Sequence, residues 1–476
     1  MEKRNKKSRI VLKGKDIMPT HIEERTITPF VLMCTWWGMA IQLVLFIAGA
    51  QLYPAVSPAL ILTAAIVGNL IVAFLLTLTG DIGIRYGITF SVYIRSAFGY
   101  LGAHIPGVFR AGFALFWFGY QTWFCAYAMN KILYVLTGYS NENLLIIIFA
   151  ILQIWNMMHG TKAVALLEKY AAPCLMVVGI YILYLVLSTY HSTPGEVLSI
   201  SGVGGISFGY AICAMMGHFM TMTLNISEFT RFLKTPDPYK TSWWKTNFGS
   251  WWSQTIGLVT SLAAFTFIGV CSGVLTGTWN PIDVLVDLIA TKSVALLILC
   301  LLFVLFAQWS TNTAANLLPP TYIIVNFYPT KINVKVAACI GGILGILARP
   351  WIFADNTTGI LVVSSALLGP ICGIMICDYY LLRKKKLNVK DLYNAEGQYK
   401  YFKNFNPAAI IALVLAAVPA VLYPDWAIPL TFGISMVVYY VLMKCWIVKK
   451  CPQPEITDPN FTVDSYTYVE YNPDED

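Results

Sequence analysis

Trp117 and Gln121 lie four residues apart, so a helix would place an indole plane and a primary amide on one face. Together they can stack a flat ring and bond its edge, because an amide both donates and accepts. Phe219 could cover the other face of that ring, and offset aromatic stacking is worth about 0.5–1.5 kcal/mol beyond the area buried. Gln42 and Asn316 would add donors and acceptors. A purely structural Trp–Gln pair is the alternative at this point. Beside Phe219 stands His218, which could carry a proton, offer a neutral imidazole, or simply pack.

Three segments combine small or helix-breaking residues with polar groups near the middle of apolar blocks. They are Trp36 to Gln42, Met216 to Thr221, and Ala307 to Asn312 with Asn316 just beyond. Backbone groups left unpaired at that depth are tolerated only where protein, water or ligand meets them. If the first segment breaks its helix, freed carbonyls would join the hydroxyls of Ser310 and Thr311, and such hard oxygens suit a small cation. Alternatively, the hydroxyls bond back to carbonyls of their own helix. No Asp or Glu lies near the middle of any block, so a site there would be neutral and its binding weak and reversible. The apolar blocks hold no nucleophile–base–acid set and no phosphate-binding glycine loop, which argues against covalent chemistry and against ATP as energy source.

The elements that must carry these residues are legible from hydropathy. The chain is 57% hydrophobic and 12% charged, against about 25% charged in a soluble protein. Apolar residues gather in blocks of roughly 20, the length a helix needs to cross hydrocarbon. Twelve spans are predicted, at 30–53, 57–79, 104–129, 142–158, 169–189, 205–226, 251–274, 294–315, 333–350, 358–380, 408–424 and 429–447. The ninth is glycine-rich, which reads as tight packing. The first two polar segments fall in spans one and six, an offset expected of two inverted five-helix repeats with discontinuous helices facing each other. The resulting organisation is 1–29 cytoplasmic segment, 30–190 and 205–380 repeats, 381–407 basic cytoplasmic loop, 408–447 two added helices, and 448–476 cytoplasmic tail.

The net charge of +8 does not point to nucleic acid. With the N-terminus inside, all of the 32 Lys and Arg residues fall on the cytoplasmic side except Lys131, Lys292, Arg349 and Arg110, the last within span three. Asp81, Arg85, Glu228, Arg231 and Asp378 fall at cytoplasmic helix ends, where inner-gate or anchoring ion pairs are expected. The 11 cysteines show neither metal-ligand spacing nor a disulfide framework. The start of the chain is basic, then acidic, without a cleavable signal, so the first span is expected to be retained. An acidic, Tyr-containing stretch from Asp464 to Asp476 is expected to be exposed, with no role assigned.

Four stretches carry a family resemblance: GITFSVYIRSAFGYLGAHIPGVFRAGFALFWFGYQTWF at 87–124, TLNISEFTRF at 223–232, WSTNTAANLLPP at 309–320 and GPICGIMICDYYLLRKKKLNVKDLY at 369–393. In these the chain resembles the nucleobase:cation symporter-1 family of cytosine, uracil, allantoin and hydantoin permeases. From Asp378 to Tyr401 it looks most like the bacterial allantoin-permease branch. The resemblance implies an all-α LeuT-like fold of two inverted five-helix repeats plus two helices, in the plasma membrane with both termini cytoplasmic. It implies no enzyme, no nucleic acid and no obligate protein partner. The implied activity is symport of a small planar heterocycle with sodium; a proton-coupled permease and an uncoupled uniporter are the alternatives. By motif, sodium would be held by carbonyls of Gly38, Ile41 and Ala307 and hydroxyls of Ser310 and Thr311. The substrate would stack on Trp117 and bond Gln121, Asn316, Gly217 and Gln42, with Asn312 behind both sites and Leu361 as a lid. One departure stands out: where hydantoin and allantoin members carry Trp in the sixth helix, this chain is expected to offer Phe219, preceded by His218.

Overall fold

The computed structural model describes residues 12–13, 17–159, 161–327, 332–463 and 469, with backbone alone over 161–173. The acidic C-terminal stretch, apart from residue 469, and the basic residues Lys3, Arg4, Lys6, Lys7, Arg9 and Lys15 lie outside the described residues. Every long element is helical; among the described residues strand pairing is limited to the isolated bridges Ile27–Leu233 and Phe402–Phe405.

Among the described residues twelve helical passes follow in order: Pro29–Ala40 with Leu43–Leu52, Pro58–Tyr86, His104–Thr137, Glu142–Met158, Thr161–Thr189, Phe208–Asn225, Trp243–Thr276, Val294–Asn312 running on to Phe327, Val334–Leu347, Thr357–Ile376, Pro407–Leu422 and Ala427–Leu442. They fall where hydropathy puts them, but the second, third, fifth, seventh and eighth overrun their apolar blocks. Hydropathy marks the stretch in hydrocarbon, whereas the backbone ladder continues until a cap ends it. Gly87 and Gly277 supply such ends with φ of 67° and 72°.

Five of the passes are each long and apolar enough to cross hydrocarbon alone, and the first pair makes a sixth across its bend. A wide set of large apolar side chains, including Ile151, Trp155, Val177, Ile180, Leu347 and Val437, faces outward. In water such a surface would be an aggregation liability; against lipid it is the matching solvent. Polar groups point the other way: Asn69, Gln121, Gln153, Gln254, Gln308 and Asn312 are buried.

Of the three polar segments, only the first breaks its helix. The first pass is interrupted at Ile41 and Gln42, both extended, and its halves meet at 58°. The eighth is not cut but widened by a π-helical turn over Thr313–Leu317. The sixth, expected to be discontinuous around Gly217, is a continuous α-helix from Phe208 to Asn225. Its glycine serves close packing instead: a Cβ on Gly217 would lie 1.9 Å from the Leu361 carbonyl oxygen of the tenth pass. The glycines of the ninth pass pack tightly as expected, with Gly345 against the Leu115 carbonyl and Gly342 against Ile154.

Candidate functional site

At the break in the first pass, the extended backbone at Ile41 and Gln42 denies Gly38, Met39 and Ala40 the amide donors a continuous helix would give. Gln42 answers one of these carbonyls, its Nε2 donating to Met39 O at 3.1 Å. Its Oε1 accepts from Gln121 Nε2 of the third pass at 3.0 Å, and its Nε2 also touches His218 Nε2 of the sixth. One glutamine thus ties together the three helices that carry the candidate ligand-facing residues.

Trp117 sits in this cluster at 2% exposure, in edge contact with Tyr120 and with His218, whose ring centroid lies 5.5 Å away. The aromatic residue set against Trp117 from the sixth helix is therefore His218. Phe219 turns instead to the first helix, in a T-shaped contact with Trp36 at 5.6 Å. Sequence reasoning gave the facing role to Phe219 and did not single out Trp36 as its partner. Three polar atoms of the cluster are buried without a partner: Trp117 Nε1, Gln121 Oε1 and His218 Nδ1. Buried polar groups in native proteins are almost always satisfied, so orphans gathered at one place mark where a ligand would bond.

On the eighth pass, Ser310 and Thr311 separate in role. The Thr311 hydroxyl donates back to Ala307 O at 3.0 Å, leaving its lone pairs to accept. The Ser310 hydroxyl is fully buried and has no partner. Free oxygens here and carbonyls at the first-pass break have the chemistry a small hard cation asks for.

Asn312 is a junction. Its Nδ2 donates to Phe118 O at 3.0 Å and to Gln153 Oε1 at 2.8 Å, and its Oδ1 accepts from Asn316 Nδ2 at 2.9 Å. Gln153 also donates to Thr122 Oγ1 at 2.8 Å, so the third, fourth and eighth passes are pinned together beside Trp117. Gln153 was missed in the sequence, although an amide among Ile, Phe, Ala and Leu is a visible signal. Gly217 and Leu361 meet backbone to backbone, and the Gly217 carbonyl already accepts from Ser364 Oγ at 3.1 Å.

Of the charged residues expected at helix ends, Asp81 and Asp378 centre two separate networks, and Glu228 accepts from Phe90 N at 3.3 Å. Asp81 is met by neutral donors, Asn247 at 2.7 Å and Tyr379 at 2.9 Å. Asp378 is ion-paired with Arg383 at 2.8 Å, and Arg383 also pairs with Glu455 near the far end of the chain.

A bent, neutral, aromatic-lined site between apolar passes defines a multi-pass membrane carrier of small molecules rather than an enzyme. Residues 19–445 match the family described as permease for cytosine/purines, uracil, thiamine, allantoin, and the chain belongs to that family. It is 34% identical to the hydantoin permease of Microbacterium maritypicum, over 91% of this chain and 89% of that one. With the allantoin permease of Bacillus subtilis it shares 29% identity over 85% and 86%. Its structure superposes with a TM-score of 0.86 on Mhp1, a nucleobase-cation-symport-1 family transporter solved in a closed conformation with bromovinylhydantoin bound, at 33% identity over 93% of this chain and 97% of that one. The fold is accordingly LeuT-like, two inverted five-helix repeats followed by two further helices.

Proposed function

We propose that this protein is a secondary active symporter that imports a neutral, planar heterocycle of the nucleobase, allantoin or hydantoin type together with sodium. It would sit in the plasma membrane with both termini cytoplasmic, the repeats being 30–190 and 205–380. The observation that carries the reading is the gathering of unpartnered Trp117 Nε1, Gln121 Oε1 and His218 Nδ1 around one buried indole, joined through Gln42 to the broken first helix. The ring stacks on Trp117, with Gln121, Asn316 and His218 bonding its edge and Gln42 holding Gln121 and His218 from behind, while Gly217, Phe219 and Leu361 shape the space around it. Sodium is held by Ser310 and Thr311 with carbonyls of Ala307, Gly38 and Ile41, and Asn312 links that site to the ring site through Asn316 and the Phe118 carbonyl.

Cation binding ties the eighth pass to the first and favours the conformer able to hold the ring. Each ligand then tightens the other by the same factor. With both bound, the outer path closes and the inner one opens. The bound hydantoin in Mhp1 and the relatives' names support the substrate class. Gln42 Nε2 donates to Met39 O and therefore meets His218 Nε2 as a donor, an arrangement that suits a neutral ring rather than a proton carrier.

Uptake of labelled uracil, cytosine, allantoin and benzylhydantoin into proteoliposomes, with sodium and proton gradients imposed separately, tests the proposal. Accumulation driven by inward sodium alone is expected. Uptake indifferent to sodium but driven by protons would reject the sodium reading, and uptake of none of the four would reject the substrate class.

A further inference from the structure

The donor and acceptor roles around Trp117 can be assigned from bond to bond, starting at the broken first helix. Met39 O can only accept, so the Gln42 group bonded to it at 3.1 Å is the nitrogen of the amide. This fixes the orientation of Gln42 chemically, where an amide's two ends are otherwise alike in shape. Gln42 Oε1 can then only accept, so Gln121 must turn its nitrogen to it, at 3.0 Å, and present its oxygen elsewhere. That oxygen is the buried Gln121 Oε1 without a partner. The remaining hydrogen of Gln42 Nε2 meets His218 Nε2. An amide nitrogen does not accept, so His218 Nε2 must, and its ring is the neutral tautomer protonated at Nδ1. Nδ1 is likewise buried and unpartnered, and the ring stands edge-on to Trp117.

We propose that Gln42 is a positioning residue that sets the polarity of the site, making Gln121 an acceptor and His218 an Nδ1–H donor, so that a ligand must turn a donor to Gln121 and an acceptor to His218. This rests on the cluster being the substrate site. It also gives the broken helix a direct hand in selection. The Met39 carbonyl exists as a free acceptor only because the helix stops there, and its direction is passed through one amide to both ligand-facing atoms. Rings whose N–H groups are alkylated lose the bond to Gln121, and rings with neither a carbonyl nor an unprotonated ring nitrogen lose the bond to His218.

Two measurements test it. Nitrogen-15 NMR of histidine-labelled protein in nanodiscs reads the tautomer directly, the His218 signal being the one of five lost in His218→Gln. The expected result is a neutral Nδ1–H ring, moving toward the Nε2–H form in Gln42→Leu. An Nε2–H or charged ring in the wild type overturns the proposal, as does a Gln42→Leu spectrum identical to it. Should Gln42→Leu fail to fold, the wild-type tautomer alone decides. Competition by uracil, 1,3-dimethyluracil and pyridine against the transported probe supplies the second arm. Dimethylation is expected to weaken binding about tenfold or more, the loss of one buried hydrogen bond or more, and pyridine, which has no N–H for Gln121, should compete no better than the dimethyl form. Equal competition by uracil and its dimethyl form overturns the proposal. If no heterocycle is transported at all, the functional reading fails, while the tautomer is still decided by the spectrum.

Discussion

Ser310 and Thr311 stand next to each other on one helix, yet their hydroxyls do different things. Thr311 is satisfied by its own helix, whereas Ser310 carries a fully buried oxygen that nothing in the protein meets. An unsatisfied buried polar group is costly, and deleting it relieves that cost. Ser310→Ala is therefore expected to raise the thermal stability of purified protein in sodium-free buffer, by about 1 kcal/mol. The same variant should abolish the extra stability that sodium confers on the wild type. A melt that still shifts upward with sodium would remove Ser310 from the cation site. The sequence shows which residue types offer oxygen ligands, but not which of two adjacent hydroxyls is already spent.

At the scale of the element, the sixth helix is the instructive case. A glycine between polar and aromatic residues reads equally as a break or as a close crossing, since both need the absence of a Cβ. Neighbouring structure decides: the tenth pass brings the Leu361 backbone into the space a side chain would need. Gly217→Ala is expected to push the two helices apart and to cost about 1–3 kcal/mol or more, the range for overpacking a well-filled interior. The measurement is a shift in the thermal midpoint relative to Gly38→Ala, where an added Cβ meets nothing within 4 Å. Equal midpoints would show that the crossing relaxes freely. The first helix, by contrast, is broken where the sequence places small and polar residues together, with Gln42 bonding one of the exposed carbonyls.

The whole molecule is held at one end by contacts that no local pattern announces. Arg383 pairs with Asp378, which also accepts from Tyr93 at 3.2 Å, Ser96 at 3.1 Å and Tyr439 at 2.8 Å. The second carboxylate on Arg383 comes from Glu455, after the twelfth pass, and accepts from Tyr399 at 2.7 Å. The stretch after the twelfth pass folds back over the loop that leaves the tenth, Gln453 Nε2 donating to Gln398 O at 2.9 Å. Both pairs have no solvent exposure, so removing the shared cation strands two carboxylates. Arg383→Met is expected to destabilise by about 3–5 kcal/mol. Glu455→Gln keeps the inner pair and should cost about 1–2 kcal/mol. Comparable losses in a melting experiment would mean that the tail contact carries as much as the inner pair.

Composition and block length alone determined that this chain crosses a membrane many times, because the cost of an unpaired or charged group in hydrocarbon leaves so few arrangements open. The motifs placed its family, and residue chemistry marked Trp117, Gln121, Gln42 and Ser310 as atoms able to grip a flat ring and a small ion. What only the tertiary structure decided is helical phase and partner. His218 and Phe219 differ by about 100° around their helix, and on a helix buried nearly all round no hydropathy pattern tells which of them meets Trp117. The same holds for Gln153 bonding Asn312 and Glu455 reaching Arg383. Such pairings depend on which helices lie side by side, and that is a property of the packed molecule rather than of any stretch of chain.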